Sequence, residues 1–278
     1  GQAQTGTGKT AAFALPLLDR LDLGRTAVQA LVLTPTRELA IQVSEAVHTY
    51  GRHLGRVRVM PVYGGESIQT QIGRLRGGMH VVVGTPGRIM DHLRRGTLDF
   101  GALRAVVLDE ADEMLRMGFL EDIEWILEQA PADRQTVLFS ATISRDIRRI
   151  ADRHQRDAAL VEIAHKTMTV PTTEQQYLQT TERQKLDVLT RLLEAEAAPG
   201  SAVLIFVRTK VRAADVAEKL EARGYAAEAM HGDMNQVQRE TVIRRMRDGQ
   251  VDLVVATDVA ARGLDVEHIG LVVNYDIP

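Results

Sequence analysis

Short apolar runs alternate with longer amphipathic stretches along the whole chain. The runs are Ala30–Leu33, Val57–Val62, Val81–Val83, Ala105–Leu108 and Thr136–Phe139, followed by Ala202–Val207, Leu253–Ala256 and Leu271–Val273. Unbroken apolar runs of this length predict strands buried on both faces. Between them, stretches such as Glu38–Tyr50, Thr209–Arg223 and Gln236–Arg247 repeat their apolar positions at helical spacing. Strand–helix alternation predicts parallel βαβ units with helices on both faces of a sheet. The pattern breaks at Lys166–Thr173, a polar stretch carrying Pro171, and then restarts. That predicts two α/β domains, 1–165 and 176–278, joined by a linker over 166–175. A tight surface loop inside one larger domain is the other reading of the break.

The polar residues have a register of their own. Thr34-Pro35-Thr36-Arg37 comes just after ALVL, Gly84-Thr85-Pro86-Gly87-Arg88 after VVV, Asp109-Glu110 after AVVL and Ser140-Ala141-Thr142 after TVLF. In the second half Arg208-Thr209 follows VLIFV, and Thr257-Asp258 follows LVVA. Parallel α/β sheets bind ligands outside the carboxyl ends of their strands. Each domain is therefore expected to gather its chemistry on one rim.

Composition narrows the classes. Of 278 residues, 45% are hydrophobic and 26% charged, ordinary for a globular protein with room for two cores. No apolar run approaches the ~20 residues that span a bilayer. The chain has no cysteine, which excludes disulfides, thiolate metal sites and cysteine nucleophiles and fits a reducing cytoplasm. The eight histidines show no paired ligand spacing. A net charge of −3 argues mildly against nucleic acid, whose partners are usually basic overall. The cations are mostly arginine, which suits phosphate, although genomic codon bias gives the same enrichment. Arg74, Arg76, Arg94, Arg95 and the arginines of Arg244–Arg247 fit solvated helix faces, and Trp125 fits packing.

Residues Ala3–Thr10 read AQTGTGKT. The phosphate-loop pattern G-x-x-x-x-G-K-[ST] lets backbone N–H groups cradle phosphates. Here Ala3 takes the first glycine position. Gln4, Thr5, Gly6, Thr7 and Gly8 would wrap the phosphates of ATP, Lys9 would reach the outer ones, and the Thr10 hydroxyl would bind Mg²⁺. Phosphoryl transfer also needs a carboxylate for the metal and a group that orients the attacking water. Asp109 suits the first role and Glu110, as general base, the second.

The string DEAD at 109–112 resembles the signature of the DEAD-box RNA helicases, and other strings agree in order: AQTGTGKT, PTRELA at 35–40, GG at 64–65, TPGR at 85–88 and SAT at 140–142. In the second half, FVRT at 206–209, HGDMNQVQRE at 231–240, ATDVAARGLD at 256–265 and VVNYDIP at 272–278 look like that family's later motifs. RMGFLEDIE and GDMNQ are similar to the bacterial DeaD/CsdA-type branch, which acts in ribosome assembly, RNA decay and cold adaptation. The resemblance implies two RecA-like domains closing on ATP and RNA. It implies RNA contacts at Pro35, Thr36, Arg37, Gly64, Gly65, Thr85, Pro86 and Arg88, and at Arg208, Gly232, Arg239 and Thr257. It implies a ribose contact at Asp265, and Ser140 and Thr142 tied to Asp112 in coupling hydrolysis to closure. Such contacts go to phosphate and sugar, so RNA binding independent of sequence is expected. Nothing calls for an oligomer, and ribosomal precursors or RNA-decay machinery are the partners the branch implies.

The family's adenine-reading motif and its arginine-rich motif have no counterpart here. The expectation is thus a chain truncated at both ends, its second domain incomplete. The leading reading is an RNA-stimulated ATPase that separates short duplexes. The alternatives are a silent fragment that only binds RNA and, at lower weight, a DNA translocase.

Overall fold

The parallel pairing expected from the strand–helix alternation is what the chain adopts. The computed structural model describes residues 1–2, 8–163, 174–198, 200–234, 236–258 and 269–277. The chain divides into two compact units, Gly1–Met168 and Thr169–Pro278. Of the expected linker, 166–173 lies outside the described residues.

In the first unit, α1 (Lys9–Asp19) precedes β1 (Ala30–Leu33), α2 (Arg37–Gly51), β2 (Val59–Val62) and α3 (Ile68–Leu75). Then come β3 (Val81–Gly84), α4 (Pro86–Arg94), β4 (Ala105–Leu108), α5 (Ala111–Arg116), α6 (Leu120–Gln129), β5 (Gln135–Leu138) and α7 (Arg145–His154). The sheet order is β2-β3-β1-β4-β5, all parallel. Side chains alternate across it. Leu31, Leu33, Val106 and Leu108 pack with α3 to α7. Ala30, Val32 and Val107 pack with Phe13 and Leu18 of α1 and Val43 and Val47 of α2.

The second unit holds α8 (Lys185–Glu196), β6 (Ala202–Phe206), α9 (Lys210–Glu221), β7 (Ala227–Met230), α10 (Gln236–Arg247), β8 (Leu253–Ala256) and β9 (Ile269–Asn274). Its sheet, again parallel, runs β7-β8-β6-β9. Leu193 and Leu220 of α8 and α9 cover one face, and Val242 and Met246 of α10 the other.

Register decides where the motifs land. Leu33 lies level with Gly84 and Leu108, Gly84 with Val62, and Leu108 with Leu138. Five strands therefore end in one row. The hydrogen-bond ladder then continues into the loops: Thr34 N–H donates to Gly84 O (3.0 Å), Thr85 N–H to Val62 O (3.0 Å) and Asp109 N–H to Leu33 O (2.9 Å).

The structure trims one expected strand and moves another back by one residue, to Gln135–Leu138 in place of Thr136–Phe139. β2 starts at Val59 because the Arg58 N–H donates to the His80 ring at 3.0 Å instead of joining the ladder. β5 is not buried on both faces, since it ends the sheet order.

Candidate functional site

Strand order divides the first unit's rim in two. Past β2, β3 and β1 lie Gly64-Gly65, Thr85-Pro86 and Pro35-Thr36-Arg37. Past β4 and β5 lie Asp109-Glu110 and Ser140-Ala141-Thr142. Sequence separation hid this partition, which only the crossover order creates.

On the carboxylate half, Gly8 caps α1 in a left-handed conformation (φ 83°), with Lys9 and Thr10 in the first helical turn. Gln4, Thr5, Gly6 and Thr7 lie outside the described residues, as does Asp265. Asp109 is 3% exposed, and its Oδ1 accepts from the Glu110 N–H at 3.1 Å. Burial pushes the Asp109 carboxyl above its ordinary value, while Lys9 pulls it back. Burial and then the Asp109 charge push Glu110 up as well. Glu110 itself stands at φ 52°, ψ 50°, a left-handed conformation that is uncommon outside glycine.

The third carboxylate is a clasp. Asp112 Oδ2 accepts from both the N–H (3.1 Å) and the hydroxyl (3.0 Å) of Thr142. The Asp112 N–H donates to Ser140 Oγ at 3.3 Å, and the Ser140 hydroxyl donates to Thr142 O at 2.6 Å. Ser140 is fully buried, and its N–H donates to Gly1 O. These bonds lock the start of α5 to the end of β5.

On the other half, Pro35 is buried and Thr36 caps α2, its Oγ1 accepting from Leu39 N–H at 3.2 Å. The Arg37 guanidinium lies 4.4 Å above the Tyr63 ring. Gly65 turns at φ +88°, and a Cβ there would meet Arg37 Nη1 at 3.4 Å. Gly84 needs its missing side chain more: a Cβ would lie 2.5 Å from Val62 O. Thr85 and Pro86 open α4. Arg88 differs from its expected place beside the others. Its side chain is 13% exposed, and Nη1 donates inward to Glu66 O (2.9 Å) and Gln71 Oε1 (3.0 Å).

In the second unit, Val207 N–H donates to Ala256 O and Thr257 N–H to Met230 O. Arg208 therefore follows β6, Gly232 lies just beyond β7 in an exposed turn, and Thr257 follows β8. Arg239 stands on α10. The Arg208 N–H donates to Asp276 Oδ2 (3.1 Å), whose other oxygen pairs with Lys185 Nζ (3.2 Å). Burial alone would raise the Asp276 carboxyl, but the bonds from Arg208 and Lys185 hold it below its ordinary value.

Gln71, Glu66, Lys185 and Asp276 were missed from sequence. Gln71 carried a signal: it lies on the same helix face as Leu75 and beside Ile72, all three buried.

Comparison with known proteins agrees with this geometry. Residues 1–150 match the family model described as DEAD/DEAH box helicase, and 184–278 the helicase conserved C-terminal domain. The whole chain is 55% identical to the DEAD-box ATP-dependent RNA helicase CshA of Geobacillus kaustophilus, covering 59% of it, and 54% identical to the ATP-dependent RNA helicase DeaD of Escherichia coli K12, covering 44%. The chain thus spans about half the length of the curated relatives it matches. Among solved structures, S. cerevisiae Dbp5 bound to RNA and ADP BeF3 is 33% identical at a TM-score of 0.85, with all of this chain and 70% of that one aligned. A DEAD box protein from Methanococcus jannaschii is 39% identical at a TM-score of 0.57, with 74% of that chain aligned. With its two RecA-like α/β units and its ordered rim motifs, this chain belongs to the DEAD-box RNA helicases, on the bacterial branch that holds CshA and DeaD.

Proposed function

We propose that the protein hydrolyses ATP in response to RNA and uses the cycle to separate short duplexes and remodel RNA–protein complexes. The observation that carries this reading is the divided rim: acidic and hydroxyl groups past β4 and β5, threonine, arginine and glycine turns past β2, β3 and β1. The first set suits a nucleotide and its metal, the second a phosphodiester backbone.

Lys9 holds an outer phosphate at the start of α1, where helix N–H groups favour anions. Asp109 and Thr10 fit Mg²⁺, because a buried carboxylate costs free energy as a lone anion and a cation beside it offsets that cost. When bound, the ion neutralises charge on the phosphates. Glu110 takes a proton from the attacking water, a role helped by a carboxyl already raised toward neutrality. The Asp112–Thr142–Ser140 clasp carries a change at the carboxylate loop to the end of β5. Gln4, Thr5, Gly6 and Thr7 complete the phosphate wrap, and Asp265 holds the ribose. Pro35, Thr36, Arg37, Gly64, Gly65, Thr85 and Pro86 in one unit, with Arg208, Gly232, Arg239 and Thr257 in the other, hold the RNA backbone. Ribosomal precursors or RNAs under decay, in the cytoplasm, are the substrates this branch suggests. Among the described residues no helix is long and apolar enough to cross a membrane.

The test is ATP hydrolysis with single-stranded RNA, with DNA of the same sequence, and without nucleic acid. RNA-selective stimulation is expected, with Glu110→Gln retaining RNA and ATP while losing about 10²–10⁴ in turnover. Equal stimulation by DNA, or none by RNA, overturns the reading.

A further inference from the structure

Gln71 is fully buried, yet it is a polar side chain with four hydrogen-bonding positions, two donor and two acceptor. All four are used. Nε2 donates to Tyr63 O (2.9 Å) and to Glu66 Oε2 (2.9 Å). Oε1 accepts from Arg88 Nη1 (3.0 Å) and faces His92 Nε2 at 3.1 Å. Because Oε1 can only accept, His92 must carry a hydrogen on Nε2. His92 is fully buried too; burial, and next the Arg88 charge, press its ring toward the neutral form. The bare Nδ1 then faces Thr97 Oγ1 at 2.8 Å.

The partners come from three elements. Tyr63 and Glu66 flank the Gly64-Gly65 turn, Gln71 belongs to α3, and Arg88 and His92 belong to α4, which Thr85 and Pro86 open. Arg88 adds a second tie, from Nη1 to Glu66 O (2.9 Å). One buried amide therefore sets the spacing between two backbone turns on the same half of the rim. The Thr85 N–H bond to Val62 O joins the same two segments through the main chain, and Gln71 with Arg88 adds the side-chain tie between them.

We propose that Gln71 is a positioning residue for RNA: through Arg88 and Glu66 it holds the Gly64-Gly65 turn and the start of α4 at the separation that grips successive backbone phosphates. Arg88 acts through this clamp, turned inward, and not as a direct RNA contact. The inference rests on the RNA reading above. A buried, fully satisfied polar network is stiff, because any displacement leaves a group unpaired. Grip that is set before RNA arrives appears as affinity, since no ordering cost remains at binding.

Gln71→Glu tests this with little change of shape. The acceptor toward Arg88 and His92 stays, while an oxygen replaces the donor facing Tyr63 O and Glu66. RNA-stimulated ATP hydrolysis is measured across RNA concentration. The RNA needed for half-maximal stimulation should rise about tenfold, the size of one net buried polar bond, with the maximal rate and the ATP requirement changed by less than about twofold. Adding Glu66→Gln restores that one pair with donor and acceptor exchanged, while Tyr63 O stays without its donor, and should recover about half of the loss. Should Gln71→Glu lose its cooperative melting transition, Glu66→Gln alone carries the test, with a rise of about threefold expected. An unchanged RNA requirement in a folded variant overturns the proposal, as does a fall in maximal rate without a change in RNA requirement. If the unaltered protein shows no stimulation by RNA, the functional reading fails and the clamp with it. If it is stimulated and the variants match it, only the clamp fails.

Discussion

Glu110 is held where a glutamate is uncomfortable. Its left-handed backbone costs roughly 1–2 kcal/mol relative to a right-handed one, and its carboxyl is half-buried beside Asp109. Function and stability therefore pull apart at this residue. Glu110→Gly and Glu110→Ala both remove the carboxyl, but only glycine also relieves the backbone. Glu110→Gly should exceed Glu110→Ala in unfolding free energy by about 1 kcal/mol in urea titrations. Equal midpoints would mean the turn relaxes on substitution.

Asp109 makes the second point at this scale. A carboxyl whose folded pKa lies above its unfolded value binds its proton more tightly when folded, so stability falls as pH rises from the unfolded value through the raised one. Asp109→Asn removes that loss. The stability of Asp109→Asn minus that of the unaltered protein, without nucleotide or metal, should grow as pH rises above the ordinary aspartate range and level off once the raised carboxyl has ionised. A difference independent of pH would show that Asp109 ionises freely in the fold. Both carboxylates were legible in the sequence because they end an apolar strand. Gln71 was only half legible: its place on the Leu75 face of α3 hints at burial, but the four groups it bonds come together only when that helix packs.

At the scale of elements, hydroxyl caps open three of the helices, and the strand edges depart from the apolar pattern. Ser144 opens α7 and accepts from Ile147 N–H at 3.3 Å, as Thr36 and Thr209 do for α2 and α9. Ser144→Ala should lower the stability of the first unit by about 1 kcal/mol, read from its thermal transition. Unbroken apolar runs predicted β1, β3, β4 and β8, each buried at every position. Strands at the ends of the sheet orders obey another rule, because among the described residues only one named strand pairs with each of them. β2 and β9 alternate in burial, and β5 is largely half-exposed. β7, with sequence AEAM, escaped notice altogether. Its residues favour helix, and pairing with β8 overrides that preference.

Over the whole molecule, charge is the quantity that most misleads. A net charge of −3 suggests weak attraction to nucleic acid, yet the proposed RNA groups are local and few. With Arg88 turned inward, Arg37, Arg208 and Arg239 remain as cationic contacts. Three phosphate contacts on a single strand give a slope of about −2 in log affinity against log salt. A slope steeper than about −4 would require cations beyond these three. The division into two α/β units was legible because the apolar pattern stops and restarts. The division of the first rim was not, since strand order β2-β3-β1-β4-β5 depends on crossovers that a linear pattern does not encode.

The ladder bonds that run past the strand ends, from Thr34, Thr85 and Asp109, separate two kinds of inheritance. Each motif is moored by main-chain atoms, which every substitution except proline leaves in place. The aliphatic side chains beneath can exchange methyl groups with their neighbours at small cost while the row of rim motifs stays where it is. A lineage can therefore rewrite its core and keep its chemistry. Relatives that share only 33% of residues with this chain still align with all of it.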